Sequence, residues 1–211
     1  MFFVALTSIF AALLYNLLIK NISAASGEHK RVHPIILFAI PFISLYNLYF
    51  VFGFSEYFVF STTATLILIS IFLTDALFTH IPNTIVLPAI GAIFAFQIFR
   101  GTDISDILIA ALLLSGFFLL QYIISSGRWI GTGDIWLGVL IGLMLGLRGT
   151  IVTLFLAYIG GALFAATLLI FKKKDHSSKI PFGTFLTAAA YISLLFGQSL
   201  STAYLHLIAI R

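Results

Sequence analysis

The chain has 211 residues, 61% of them hydrophobic, 9% charged and none of them cysteine, and carries a formal charge of +4. So few polar groups cannot cover a water-facing surface, which excludes a soluble globule and predicts an all-α, polytopic membrane protein of about eight transmembrane helices in one bundle. The missing cysteines exclude disulfides, a thiol nucleophile and a cysteine zinc module, and the charge is too small to point to nucleic acid.

Residues 2–19 are an unbroken apolar run followed by Lys20. A secretory signal carries its positive charge before the run, so this is predicted to be a retained first span with the N-terminus outside. A polar loop over 20–33 leads to Pro34, which opens a second span reaching about Phe54. Ser55 and Glu56 form a turn, and a third span runs from about Tyr57 to Phe78 with Asp75 in its last turn. Proline disfavours helix in the residue before it, so Ile81-Pro82 is predicted to end that region, with Asn83 capping the next helix. Span four covers about Thr84 to Phe99 and span five about Ile104 to Ser125.

Only residues 129–147 separate Arg128 from Arg148, and a helix needs about 20 residues to cross the hydrocarbon. Span six is therefore predicted to start near Trp129, with Gly131-Thr132-Gly133-Asp134 just inside the membrane edge. Span seven covers about Thr150 to Phe171. A charged loop from Lys172 to Lys179 precedes span eight, which begins at Ile180-Pro181-Phe182-Gly183, fades near Gly197 and leaves a tail that extends it or lies along the surface. No internal repeat or low-complexity linker divides the chain, so a single domain over 1–211 is the simplest partition.

Basic residues set the predicted orientation. With the N-terminus outside, the inner loops hold Lys20, Lys30, Arg31, Arg128, Lys172, Lys173, Lys174 and Lys179, against Arg100, Arg148 and Arg211 outside. Asp75 and Asp134 then both fall at the cytoplasmic ends of their helices. The other acids, Glu28, Glu56, Asp103, Asp106 and Asp175, fall in loops or at helix ends.

Asp134, Gly138, Gly142 and Gly146 recur every four residues and so share one helix face. A small-residue stripe of this kind lets a neighbouring helix approach closely, which turns Asp134 away from lipid. An intramembrane acid costs about 2.5–3.5 kcal/mol at a helix centre, so two on one side call for a reason. Brought to one site, two carboxyls share a proton and can activate a water while protonating a leaving amide nitrogen. Taken alone, Asp75 reads more plainly as an interfacial residue or a cap; the flanking glycines move Asp134 toward function, because they strip bulk from around the charge.

Asp75, Ile81-Pro82-Asn83, Gly131-Thr132-Gly133-Asp134 and Ile180-Pro181-Phe182-Gly183, in this order and on these spans, resemble the type IV prepilin peptidases. The resemblance implies a membrane aspartic protease with Asp75 and Asp134 as its catalytic pair, no metal and no cofactor. It implies prepilin or pseudopilin precursors as partners, cut at the cytoplasmic face of the cell (inner) membrane just before their hydrophobic segment. Gly131, Gly133, Ile81, Pro82, Asn83, Pro181 and Gly183 are expected to bind substrate or support the site. The chain departs from the family pattern at Trp136, where a lysine is common, and at Thr184, where proline is common. Its loop over 20–33 also lacks the four-cysteine module of many members, which argues for cleavage without N-methylation.

Two other readings use the same acids: a presenilin-like intramembrane protease, which shares Gly-x-Gly-Asp, and a proton-coupled transporter. A scaffold without catalysis is a third. His29 and His33 beside Glu28 read as loop histidines before a metal site, and His80 as a turn residue before a partner of Asp75. Lys172 to Lys174 read as orientation charge facing lipid headgroups.

Overall fold

The computed structural model describes residues 2–27, 30, 32–170 and 181–209, with Leu169 and the residues from 198 onward given by backbone alone. The elements are α1 (Phe2–Ser26), α2 (Pro34–Phe52), α3 (Glu56–Phe78), α4 (Asn83–Phe99), α5 (Ile104–Ser125), α6 (Thr132–Ile170) and α7 (Phe182–Ala209). No strand occurs among the described residues. Five of the helices, α1, α2, α3, α5 and α6, contain runs long and apolar enough to cross a membrane, while α4 and the stretch Phe182–Gly197 of α7 are shorter apolar helices. The protein is a multi-pass, all-helical membrane protein.

Two compact units contain these helices, residues 1–70 and 71–211. In the first, α1 packs on α2, and the Tyr15 hydroxyl donates to the Leu66 carbonyl at 2.9 Å. Phe3, Tyr49, Phe54 and Phe58 form an edge-to-face cluster around the turn at Gly53, whose φ of 58° suits a glycine. His33 caps α2, its Nδ1 accepting from the Ile35 N–H at 3.3 Å. That gives it a structural task; His29 and Glu28 lie outside the described residues.

The second unit is organised by α6, which joins the predicted spans six and seven in one element. Gly146 interrupts it with φ 66° and ψ −175°, a region that side chains rarely enter. On the first arm, Gly138 lies against Ser115 and Gly142 against Ala111, so the chain runs antiparallel to α5. Beyond Gly146, Leu147 meets Asp106 and Tyr158 meets Gln121, so the second arm runs parallel to α5. The helix therefore folds back on itself, two residues earlier than the expected turn at Arg148. The glycine stripe lies against α5 as predicted, so closely that a Cβ on Gly142 would collide with the Ala111 backbone.

Two predicted details are corrected. The first arm begins at Thr132 and not near Trp129, because Ser126 and Gly127 take positive φ and residues 126–131 stay non-helical. Pro82, in extended conformation, is the N-cap of α4 and offers no side-chain bond; Asn83 is the first helical residue and caps nothing.

The end of the unit around Gly146 is closed by polar contacts. Gln97 Nε2 donates to the Leu143 and Met144 carbonyls at 2.9 and 3.2 Å, and its Oε1 accepts from Thr102 Oγ1 at 2.9 Å. Those carbonyls are ones a helix end leaves without partners. On the other side of the break, Asp106 Oδ2 accepts from the Leu147 N–H at 3.2 Å. Ser193 Oγ donates to the Gly149 carbonyl at 2.8 Å, tying α7 to the same region.

Candidate active site

At the opposite end of this unit, α3, the segment 79–83, residues 127–134, the second arm of α6 and the start of α7 converge on a cavity of about 1030 Å³. Asp75, Ile81, Asn83, Gly131, Gly133, Asp134 and Pro181 line it, as do His80, Gln121 and Tyr158. In an unbroken helix Asp134 and Gly161 would stand about 40 Å apart at 1.5 Å per residue, yet both line this cavity. The reversal at Gly146 is what brings the second arm to the site.

Asp75 is 4% exposed and Asp134 8%, and both line this one cavity. Asp75 spends one oxygen at the start of α7. Its Oδ2 accepts from the Thr184 N–H at 2.6 Å and from Thr184 Oγ1 at 2.9 Å. The carboxyl approaches so closely because Gly183 has no side chain: a Cβ there would lie 3.0 Å from the same Oδ2. N–H groups in a helix's first turn lack intrahelical partners and carry partial positive charge, which favours an acid at this spot.

Asp134 is the third residue of α6, and its Oδ2 reaches back to accept from the Gly131 N–H at 3.1 Å. In the other direction the Asp134 N–H donates to the Gly131 carbonyl at 3.2 Å. This is half of a capping box. The cap accounts for one oxygen only. Asp134 Oδ1 is fully buried and has no hydrogen-bond partner among the described residues.

Ile81 joins the three motifs. A Cβ on Gly133 would fall 2.8 Å from Ile81 Cβ, and one on Gly183 would fall 2.8 Å from Ile81 Cδ1. The missing side chains at both glycines are thus the seats of this buried isoleucine, with buried Pro82 holding the turn behind it. Gly131 has only ordinary contacts with Asp134 and Gly133.

Reading the sequence did not single out Thr184 as a partner of Asp75, nor Tyr158 and Gln121 as lining residues. Tyr158 hydrogen-bonds Gln121 and packs edge-on against Phe182 in the cavity wall. Two polar residues facing each other from apolar runs are the one signal that pointed to them. Trp136, in the place where a lysine was looked for, is 42% exposed and takes no part in the lining.

The sequence profile of the type IV leader peptidase family matches residues 62–166, the stretch that contains Asp75, Ile81 to Asn83 and Gly131 to Asp134. Over that stretch the chain is similar to this family. It is similar to the prepilin leader peptidase/N-methyltransferase of Aeromonas salmonicida (strain A449), 28% identical over 130 residues that make up 59% of this chain and 45% of that protein. The proteins of the same name from Stutzerimonas stutzeri and Pseudomonas aeruginosa match at 25% over 188 residues and 30% over 145. These matches cover 87% and 65% of this chain, and 65% and 49% of the relatives. The chain thus spans about half the length of the first relatives it matches. No solved structure matches it significantly.

Proposed function

We propose that this protein is a membrane-embedded aspartic endopeptidase that removes the leader peptide of type IV prepilin-like precursors at the cytoplasmic face of the cell membrane. The observation that carries the reading is a pair of carboxyls, both more than nine-tenths buried, in one cavity, each with an oxygen that accepts no hydrogen bond from the described residues. Acids that served only as caps would have no need to meet. A water held between them loses a proton to one carboxylate as it attacks the scissile carbonyl, the other carboxyl protonates the carbonyl oxygen, and the departing nitrogen then takes its proton from the pair. The names of the relatives supply the class of precursor, and the basic loops of the sequence supply the cytoplasmic side.

The reading is cleavage without N-methylation, because the loop between α1 and α2 is short and has no cysteine. A proton-coupled transporter gains no support: its relay would have to continue toward Gly146, where Gln97 and Asp106 already bond to backbone.

The test is cleavage of a prepilin-like precursor by purified protein in detergent, for wild type, Asp75→Asn and Asp134→Asn, with the mass of the new N-terminus read at the same time. Cleavage by wild type alone, yielding an unmethylated product, is expected. Cutting by either asparagine variant rules out the pair, and a methylated product rules out the narrower activity.

A further inference from the structure

The two carboxyls share a cavity and have unlike surroundings. Both hydrogen bonds to Asp75 fall on a single oxygen, Oδ2, and both come from Thr184. An oxygen that accepts two donors is placed as part of an ionised carboxylate, and bonds to a charged acceptor are about twice as strong as neutral ones. The start of α7 adds its partial positive charge to the same oxygen. Asp134 receives one N–H, on Oδ2, and its Oδ1 sits buried with no donor among the described residues. An ionised carboxylate would leave that oxygen unsatisfied in a medium of low dielectric, whereas a protonated one has a hydroxyl ready for an incoming acceptor.

From these contacts we infer that Thr184 is a positioning residue that divides the labour of the pair: it holds Asp75 as the base, and the shared proton rests on Asp134 Oδ1. The inference depends on the peptidase reading above. Asp75 Oδ1 takes a proton from water as the water oxygen bonds to the scissile carbonyl carbon, and Asp134 Oδ1–H gives its proton to the carbonyl oxygen. The resulting gem-diol collapses as the C–N bond breaks. The proton on Asp75 moves to the leaving nitrogen, and one diol hydroxyl returns a proton to Asp134. Both acids end as they began. Where relatives carry proline at the position of Thr184, neither the N–H nor the hydroxyl would be present, so this arrangement belongs to chains with threonine or serine there.

Three substitutions at position 184 separate the donors. Thr184→Val removes the hydroxyl and keeps the N–H, Thr184→Pro removes both, and Thr184→Ser keeps both. Loss of one bond to a charged acceptor should lower kcat about tenfold to hundredfold in the valine variant with KM nearly unchanged, at least as far in the proline variant, and little in the serine variant. Independently, the infrared C=O stretch of a protonated buried carboxyl should be present in wild type and Asp75→Asn and absent in Asp134→Asn. Wild-type kcat in Thr184→Val, or a carboxyl band that survives Asp134→Asn and vanishes in Asp75→Asn, overturns the assignment. If valine and proline variants fail to fold, the infrared comparison decides alone. A cutting Asp75→Asn or Asp134→Asn variant instead removes the peptidase reading itself, so the two failures are distinguishable.

Discussion

The two ends of the unit formed by residues 71–211 treat buried polar groups in opposite ways. Around Gly146 a helix is broken inside an apolar bundle, and groups set loose are bonded again: the Leu143 and Met144 carbonyls by Gln97 and the Leu147 N–H by Asp106. The leftover there is a neutral hydroxyl, Thr150 Oγ1. At the cavity, an acid oxygen is left unpartnered beside a second acid. Unsatisfied backbone is costly in a bilayer, so the first end is built for stability. The second leaves a buried acid oxygen without a bond from any described residue, the compromise expected of the reactive site proposed above.

Substitution at the two ends should therefore separate activity from stability. The largest effect belongs to Asp134→Asn, which should lower cleavage by about 10²- to 10⁴-fold, the usual share of a general acid or base. Its thermal unfolding temperature in detergent should not fall, because asparagine keeps the acceptor for Gly131 and removes one of the two buried acids. A drop of several degrees would mean that Asp134 is chiefly a cap and would erase the contrast.

At the closed end the reverse is expected. Gln97→Leu leaves two carbonyls without their donor, at about 1–3 kcal/mol for each unsatisfied group. Chemical denaturation should show this loss, while kcat per folded molecule stays at the wild-type value, since Gln97 lies at the far end from the cavity. A fall in kcat would show instead that the break transmits to the site.

Gly146→Ala should be next in size. The φ of 66° with ψ near 180° costs a side chain about 1–3 kcal/mol, and the new Cβ would collide with Asp106 Oδ2. Asp106→Ala removes the collision together with the bond to Leu147. The double variant should then lose less stability than the two single losses combined, by about 0.5–3 kcal/mol. Strict additivity would mean that Asp106 moves aside freely and does not clamp the break.

Much of this architecture was legible in the residues. Apolar runs between polar turns located every helix, and α5 has its predicted bounds because Asp103 caps one end and Ser126-Gly127 turns the other. The glycine stripe gave the packing face of the first arm correctly, because a four-residue period is a local property of a helix. The reversal was placed at Arg148 because charge marks a membrane edge, whereas the backbone turns at the residue that tolerates its dihedral angles, Gly146. What sequence could not give was pairing over distance. Thr184 and Asp75 are 109 residues apart, and Gln97 sits in an apolar run with nothing local to mark its task. The motifs named Ile81, Gly133 and Gly183 separately; that one side chain fills the space left by both glycines is a tertiary fact. The start of the predicted eighth span at Ile180 and the loop from Lys172 to Lys179 lie outside the described residues.

The smallest effect should come from Asp103, the exposed N-cap of α5. Bonds from the Ser105 side chain and backbone N–H hold its carboxyl below the ordinary carboxylate range. A group depressed on folding contributes stability that is complete above its unfolded value, about 3.9, and fades as pH drops through the lower folded value. Asparagine caps about as well as aspartate and does not titrate. Asp103→Asn should thus match wild type near neutral pH and lose slightly less unfolding temperature between about pH 5 and pH 3. Solvent screens this exposed site, so the difference should be far below that of the Gly146 and Gln97 variants. An equally steep acid limb in Asp103→Asn would place the acid sensitivity in other groups, those whose carboxyls are held below the ordinary range on folding.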